Sequence, residues 1–350
     1  MHATGACHVL FLFDVAHDID LERVRSLAGA TAPPLPARGL YVEPLPMRFR
    51  IDAQPLSIAG HAGAPGAEVT LYDFGAVSLG YTVPLDAPLA DWVEVMRALM
   101  DGEDLRRQVS RDLDEVLLRV GPAVHVPVPE RLVEDYVTVH LRTVEPPVDA
   151  ATLASRYGTE LSRLLRGERG PLSADEVRDA TEGHASFSPD DLAVIDWNAA
   201  VVLDPGPTDE IRTVLEIANV QLLELRFLDR QLDLALEGSH ARVARQRSRR
   251  WLGLGGRADL QAVGSLQVDG AVLHERIAKA IRLHGEPYVA RVYRLAAQQL
   301  RLAEWSAEVG RKLAALDSIY QKLWDRDASR RIELLEWIVI VLILVEIIRG

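Results

Sequence analysis

Two periods of apolar spacing run along this chain, and the place where one gives way to the other divides it. From His8 to about Asp204, short runs rich in β-branched and aromatic residues alternate with stretches of helical spacing. HVLFLFD (8–14) predicts a strand, and DIDLERVRSLAG (18–29) a helix with Asp18 or Asp20 near its cap and Gly29 at its end. TAPPLPARG (31–39) is loop, and AEVTLYDFGAVSLGYTVP (67–84) predicts two β-rich runs around a turn at Asp73 to Gly75. Helices are expected at LADWVEVMRALMD (89–101), DLRRQVSRDLDEVLLRVG (104–121) and around TLASRYGTELSRLLRG (152–167). DYVTVHLR (135–142) reads as a strand and DLAVIDWNAAVVLD (191–204) as a strand or hairpin. This mixed order points to an α+β domain rather than a doubly wound sheet.

After Asp204 to Pro207 the strand-like runs stop, which sets expected domains at 1–205, 208–331 and 332–348. Thr208 can cap a helix in which Ile211, Leu215, Ala218, Leu222 and Leu225 are spaced by fours and threes. A later helix, Tyr288 to Trp324, carries eleven positions at strict four-three spacing from Tyr288 to Leu323, nine of them apolar. About 37 residues at 1.5 Å each is roughly 55 Å, so the two stretches are expected to form a long antiparallel coiled-coil hairpin with its bend within Gly238 to Gly264.

The last periodic segment, Ile332 to Ile348, is a C-terminal hydrophobic helix whose core Trp337, Ile338, Val339, Ile340, Val341, Leu342, Ile343, Leu344 and Val345 is unbroken. Its 17 residues span roughly 25 Å, the lower limit for crossing a bilayer. At 100° per residue Glu333, Glu336 and Glu346 share one side within about 140°, so Glu336 and Glu346 are candidates for helix association while the other face meets lipid. The rival reading is a soluble helix buried in an oligomer. Arg326, Arg330 and Arg331 precede the segment and Arg349 follows it, which places a single C-terminal pass with the body in the cytoplasm.

Composition narrows the chemistry. With 48% hydrophobic and 26% charged residues the chain folds, and a net charge of −12 confines any polyanion site to a local patch. Cys7 is the sole cysteine, which excludes an intramolecular disulfide and any cysteine-rich zinc site. No Gly-Lys dipeptide, H-E-x-x-H or G-x-S-x-G occurs, so no catalytic, cofactor or metal motif is expected. The one basic patch is ARVARQRSRRWLGLGG, where Arg242, Arg245, Arg247, Arg249 and Arg250 beside Trp251 could hold phosphate of RNA or anionic lipid; a solvated helix end is the plainer reading. GLGGRA follows a helix rather than a strand, so it fails as a dinucleotide loop. The pairs Glu134 with Asp135 and Asp190 with Asp191 read as loop or cap residues, and Trp197 as a core aromatic.

The segments LEIANVQLLELRFLDRQLD, EPYVARVYRLAAQQLRLAEWSAEVGRKLAALDSIYQKL and LLEWIVIVLILVEI resemble the family named for "required for meiotic nuclear division" (RMD). LYDFGAVSLGYTV and VIDWNAAVVLD are similar to its N-terminal features. The resemblance implies a membrane-anchored protein without established catalysis and no catalytic residues to transfer. The expected function is therefore a C-terminally anchored scaffold or adaptor working by self-association or through protein or ribonucleoprotein partners. Two rivals stand beside it. One is RNA or anionic-lipid binding through the arginine cluster, and the other an enzyme whose mark would be a pocket of convergent polar groups in the head domain.

Overall fold

A computed structural model describes residues 1–29, 40–42, 44–128, 131–248, 281–283 and 287–319, with isolated helical positions at 271, 321, 337, 339–340 and 343. The elements begin β1 His2–Asp14, β2 Ala16–Ile19, α1 Leu21–Ala28, β3 Leu40–Val42, β4 Met47–Ile51, β5 Ser57–Ile58, β6 His61–Ala62, β7 Ala67–Leu71 and β8 Ala76–Pro88. They continue with α2 Leu89–Asp101, α3 Glu103–Val120, β9 Val124–Pro127, β10 Val133–Glu145, α4 Ala150–Arg156, α5 Gly158–Arg166 and α6 Ala174–Glu182. Then come β11 His184–Ala185, β12 Leu192–Ile195, β13 Ala199–Leu203, α7 Asp209–Ser248, β14 Ile281–Leu283 and α8 Pro287–Gln299. Two compact units result, Met1–Glu224 with Ile277–Ala303, and Leu225–Arg276 with Glu304–Gly350.

The first unit is a mixed α+β fold around an eight-stranded sheet of order β11-β12-β13-β10-β1-β8-β7-β4. All neighbours in it are antiparallel except β10 and β13. Register aligns His8 with Thr82 and Thr138, so even-numbered residues of these three central strands share one face. The odd face is apolar: Val9, Phe11, Leu79, Val83, Val137 and Val139 are buried in one core with Trp92, Met96, Leu113 and Leu161 of the helices α2, α3 and α5. Burying such side chains is worth about 1.5–3 kcal/mol each. The even face carries polar groups and is covered by the first turns of α7, whose Glu216 reaches Tyr72 and Arg48. Tyr293 of α8 donates to Gln221 of α7 at 2.6 Å on this side.

Local signals explain the elements. Asp20 caps α1 by accepting from the backbone N–H of Arg23, and Gly29 ends it in the left-handed region. Asp149 and Ser173 cap α4 and α6 in the same way. The turn between β7 and β8 needs Gly75, at φ 103°, because a Cβ there would lie 1.7 Å from the Ala16 carbonyl oxygen.

The helical region departs from expectation in three ways. First, α7 runs 40 residues and takes in Gly238 to Ser248, so of the segment expected to bend only 249–264 is left, outside the described residues; the good helix formers after Gly238 offset the ~1 kcal/mol that a helical glycine costs. Second, the helix expected from Tyr288 onward is interrupted after Gln299, where Arg301 takes φ 53°, and a second helix follows over 302–319. Third, within the second unit the helices are parallel, not antiparallel. Arg226 lies over the Trp305 ring at 5.8 Å and Lys312 reaches both Asp229 and Asp233 at 2.7 Å, so the contacts ascend together. Thirty-eight residues, 249–286, link α7 to α8, far more than a hairpin bend requires. The heptad seam itself is present in 302–316, where Leu302, Val309 and Leu316 are buried.

Candidate functional site

Among the described residues, polar groups converge in a cleft of about 460 Å³ on the even face of the sheet. Its floor is Leu10 of β1, Ser78 and Gly80 of β8, and Thr70 of β7; its walls are β4 on one side and the first two turns of α7 on the other. Edge strand β4, MRFRI, alternates so that Arg48 and Arg50 point to this face. On α7, Asp209, Arg212, Thr213 and Glu216 recur at threes and fours and so line one side of the helix.

The charges are interlaced. Glu68 accepts from Arg50 and from Arg212, each at 3.4 Å, and Arg212 also reaches Asp209 at 3.1 Å. Deeper in, Glu216 accepts from Arg48 at 3.4 Å and from the Tyr72 hydroxyl at 3.1 Å. Burial first, and then the Glu216 carboxylate, hold the Tyr72 hydroxyl protonated well above its ordinary range.

Beside the cleft, His8 and His140 stack with ring centroids 6.3 Å apart. His8 Nδ1 meets the Thr82 hydroxyl at 3.0 Å, while His140 Nε2 donates to the Asp204 carbonyl at 2.8 Å, which sets its tautomer. Burial, followed by the nearby Arg212, His140 and Arg142, pushes His8 down to about 3. Both rings are therefore neutral at ordinary pH, and His8 is too weak a base to take a proton there. Cys7 points to the apolar core, where burial raises its thiol well above the usual range and keeps it unreactive. No group of three or more His, Cys, Asp or Glu side chains is arranged to hold a metal ion among the described residues. The cleft presents charged and hydrogen-bonding side chains to whatever enters it.

The residues singled out by sequence fall elsewhere. Arg242, Arg245 and Arg247 stand on the last turns of α7, while Arg249, Arg250 and Trp251 lie outside the described residues. Of the C-terminal segment, Trp337, Val339, Ile340 and Ile343 are helical and exposed, at 67, 52, 52 and 53%. Glu336, Ile338, Val341, Leu342, Leu344, Val345 and Glu346 lie outside the described residues. No helix among the described residues is long and apolar enough to cross a membrane.

Glu134 and Asp135, as neighbours in β10, point to opposite faces of the sheet and make no acid pair. Asp191 caps its loop, accepting from the N–H groups of Phe187 and Ser188. Trp197 is not core: it is 57% exposed between β12 and β13. Arg48, Arg50 and Arg212 were not anticipated, because they come together only through Glu68 and Glu216 on other elements and none belongs to a motif.

No solved structure matches this chain. A curated relative, "Uncharacterized protein MJ0711" of Methanocaldococcus jannaschii, is 25% identical over 191 residues. That alignment takes in 54% of this chain and 58% of the relative, so the chain spans little more than half of the relative's length. A family model matches residues 4–210, which take in nearly all of the eight-stranded sheet but stop short of Arg212, Thr213 and Glu216 of the cleft, and by that match the chain belongs to the family described as "Uncharacterized protein MJ0711, N-terminal domain".

Proposed function

We propose that the protein is a membrane-associated scaffold or adaptor, kin to the RMD family. In this reading residues 332–348 form a single C-terminal anchor, the body faces the cytoplasm, and the α+β unit engages protein or ribonucleoprotein partners. The observation that supports it is the exposure of the helical residues Trp337, Val339, Ile340 and Ile343, four large apolar side chains within a span of seven positions. At 100° per residue they fall within about 160° of one another, a stripe suited to lipid or a partner helix. Fractionation of cells expressing the full chain tests the reading. Pelleting with membranes should survive high salt and be lost on truncation before Ile332; release in plain buffer, with truncation changing nothing, overturns it.

A second reading assigns the arginine cluster to RNA or anionic lipid. It draws on the uninterrupted course of α7, which carries Arg242, Arg245 and Arg247 on one helix. Binding should weaken steeply as salt rises and fall with each Arg→Ala change; affinity indifferent to both excludes it.

A further inference from the structure

The cleft between β4 and α7 is not used by either reading above, and its construction is specific. Gly80 stands in the middle of β8, a place that normally holds a large side chain. A Cβ there would lie 3.7 Å from the Glu68 Cβ, an ordinary contact, so the backbone does not require glycine; what glycine keeps is the space. Thr70, Ser78 and Thr213 line that space, all more than nine-tenths buried. None of their hydroxyls takes part in a side-chain hydrogen bond among the described residues, and none is sealed off from the cleft, so all three open onto it and can bond a polar occupant.

Charge narrows the occupant. Arg48, Arg50 and Arg212 face Glu68, Asp209 and Glu216, three of each sign, joined mostly at 3.4 Å. Charge-assisted bonds usually close to about 2.7–2.9 Å, so these pairs can be exchanged for tighter ones. An anion alone that drew Arg48 away would strand Glu216, whose side chain is only 13% exposed, without its cation. A cation alone would strand the guanidinium. An apolar molecule would bond neither the three hydroxyls nor the charged side chains and would cut them off from water.

We propose that the cleft binds a small zwitterion, a molecule carrying an ammonium group and a carboxylate or phosphate. Its anionic group takes the Arg48 and Arg212 guanidiniums, its ammonium takes Glu216, Glu68 keeps Arg50, the exposed Asp209 turns to water, and Thr70, Ser78 and Thr213 hydrogen-bond its remaining polar atoms. The exchange conserves the number of ion pairs.

Thermal melting of the full chain with the common amino acids and O-phosphoethanolamine tests this. Acetate and inorganic phosphate serve as anion-only probes and methylammonium as the cation-only probe. At a concentration ~10 times its Kd, at least one zwitterion should raise the midpoint by about 2 °C, with no effect from the single-charge probes. Gly80→Val, which fills the floor, should abolish the shift. Ser78→Ala, which removes one hydroxyl and keeps the fold if the valine does not, should reduce it. A shift with phosphate, acetate or methylammonium equal to that with any zwitterion overturns the proposal. So does a shift that survives both variants, or none with any zwitterion.

Discussion

Asp14 ends β1 and Glu224 sits midway along α7, and both carboxyls are wholly buried with no hydrogen-bond partner among the described residues. Burial pushes Asp14 up to about 7; burial, then the charges of Asp14 and Asp73, push Glu224 well above its ordinary range. The folded protein therefore holds protons that the unfolded chain would release above about pH 4. This contribution to stability is intact below pH 4 and is lost as pH rises through 7. For Asp14 alone the effect is roughly 4 kcal/mol at most. Denaturant midpoints are expected to be lower at pH 8 than at pH 5, and Asp14→Asn and Glu224→Gln should each shrink that difference. An undiminished difference in both variants would show that these groups titrate normally.

At the scale of elements, much of the sheet was legible because strand alternation and turn chemistry are local. The turn at Asp73 to Gly75 joins β7 to β8, DYVTVHLR lies in β10, and DLAVIDWNAAVVLD forms the antiparallel pair β12 and β13. What escaped is non-local or unmarked. MRFRI is an edge strand by its pairing with β7, and its arginines find Glu68 and Glu216 on two other elements. Heptads at four-three spacing serve parallel and antiparallel packing alike, so the antiparallel hairpin expected from sequence had no warrant in the spacing, and the Arg226–Trp305 and Lys312 contacts make the helices parallel. No glycine or proline marks the break at Arg301.

Two variants probe this region. Arg301 pays for a left-handed backbone that glycine adopts freely, so Arg301→Gly should stabilise by up to about 1 kcal/mol in equilibrium unfolding. Lys312→Met leaves the half-buried Asp229 without its cation and should cost roughly 3 kcal/mol, with loss of helical signal at lower temperature. A neutral result there would mean that the parallel helices are held by their apolar seam alone.

The whole molecule combines an α+β unit, which contains the family-matched residues 4–210, with a helical region and an apolar C-terminal segment. The cleft was invisible to sequence because its guanidiniums and carboxylates are brought together only by the sheet register and the docking of α7. The apolar segment was legible because thirteen aliphatic residues in seventeen need no tertiary context to be noticed. Co-flotation of the purified full chain with lipid vesicles tests whether this segment anchors the protein. The full chain should rise with the vesicles in high salt, while a chain ending before Ile332 stays at the bottom. Equal behaviour of the two would contradict the anchor and, with it, the scaffold reading.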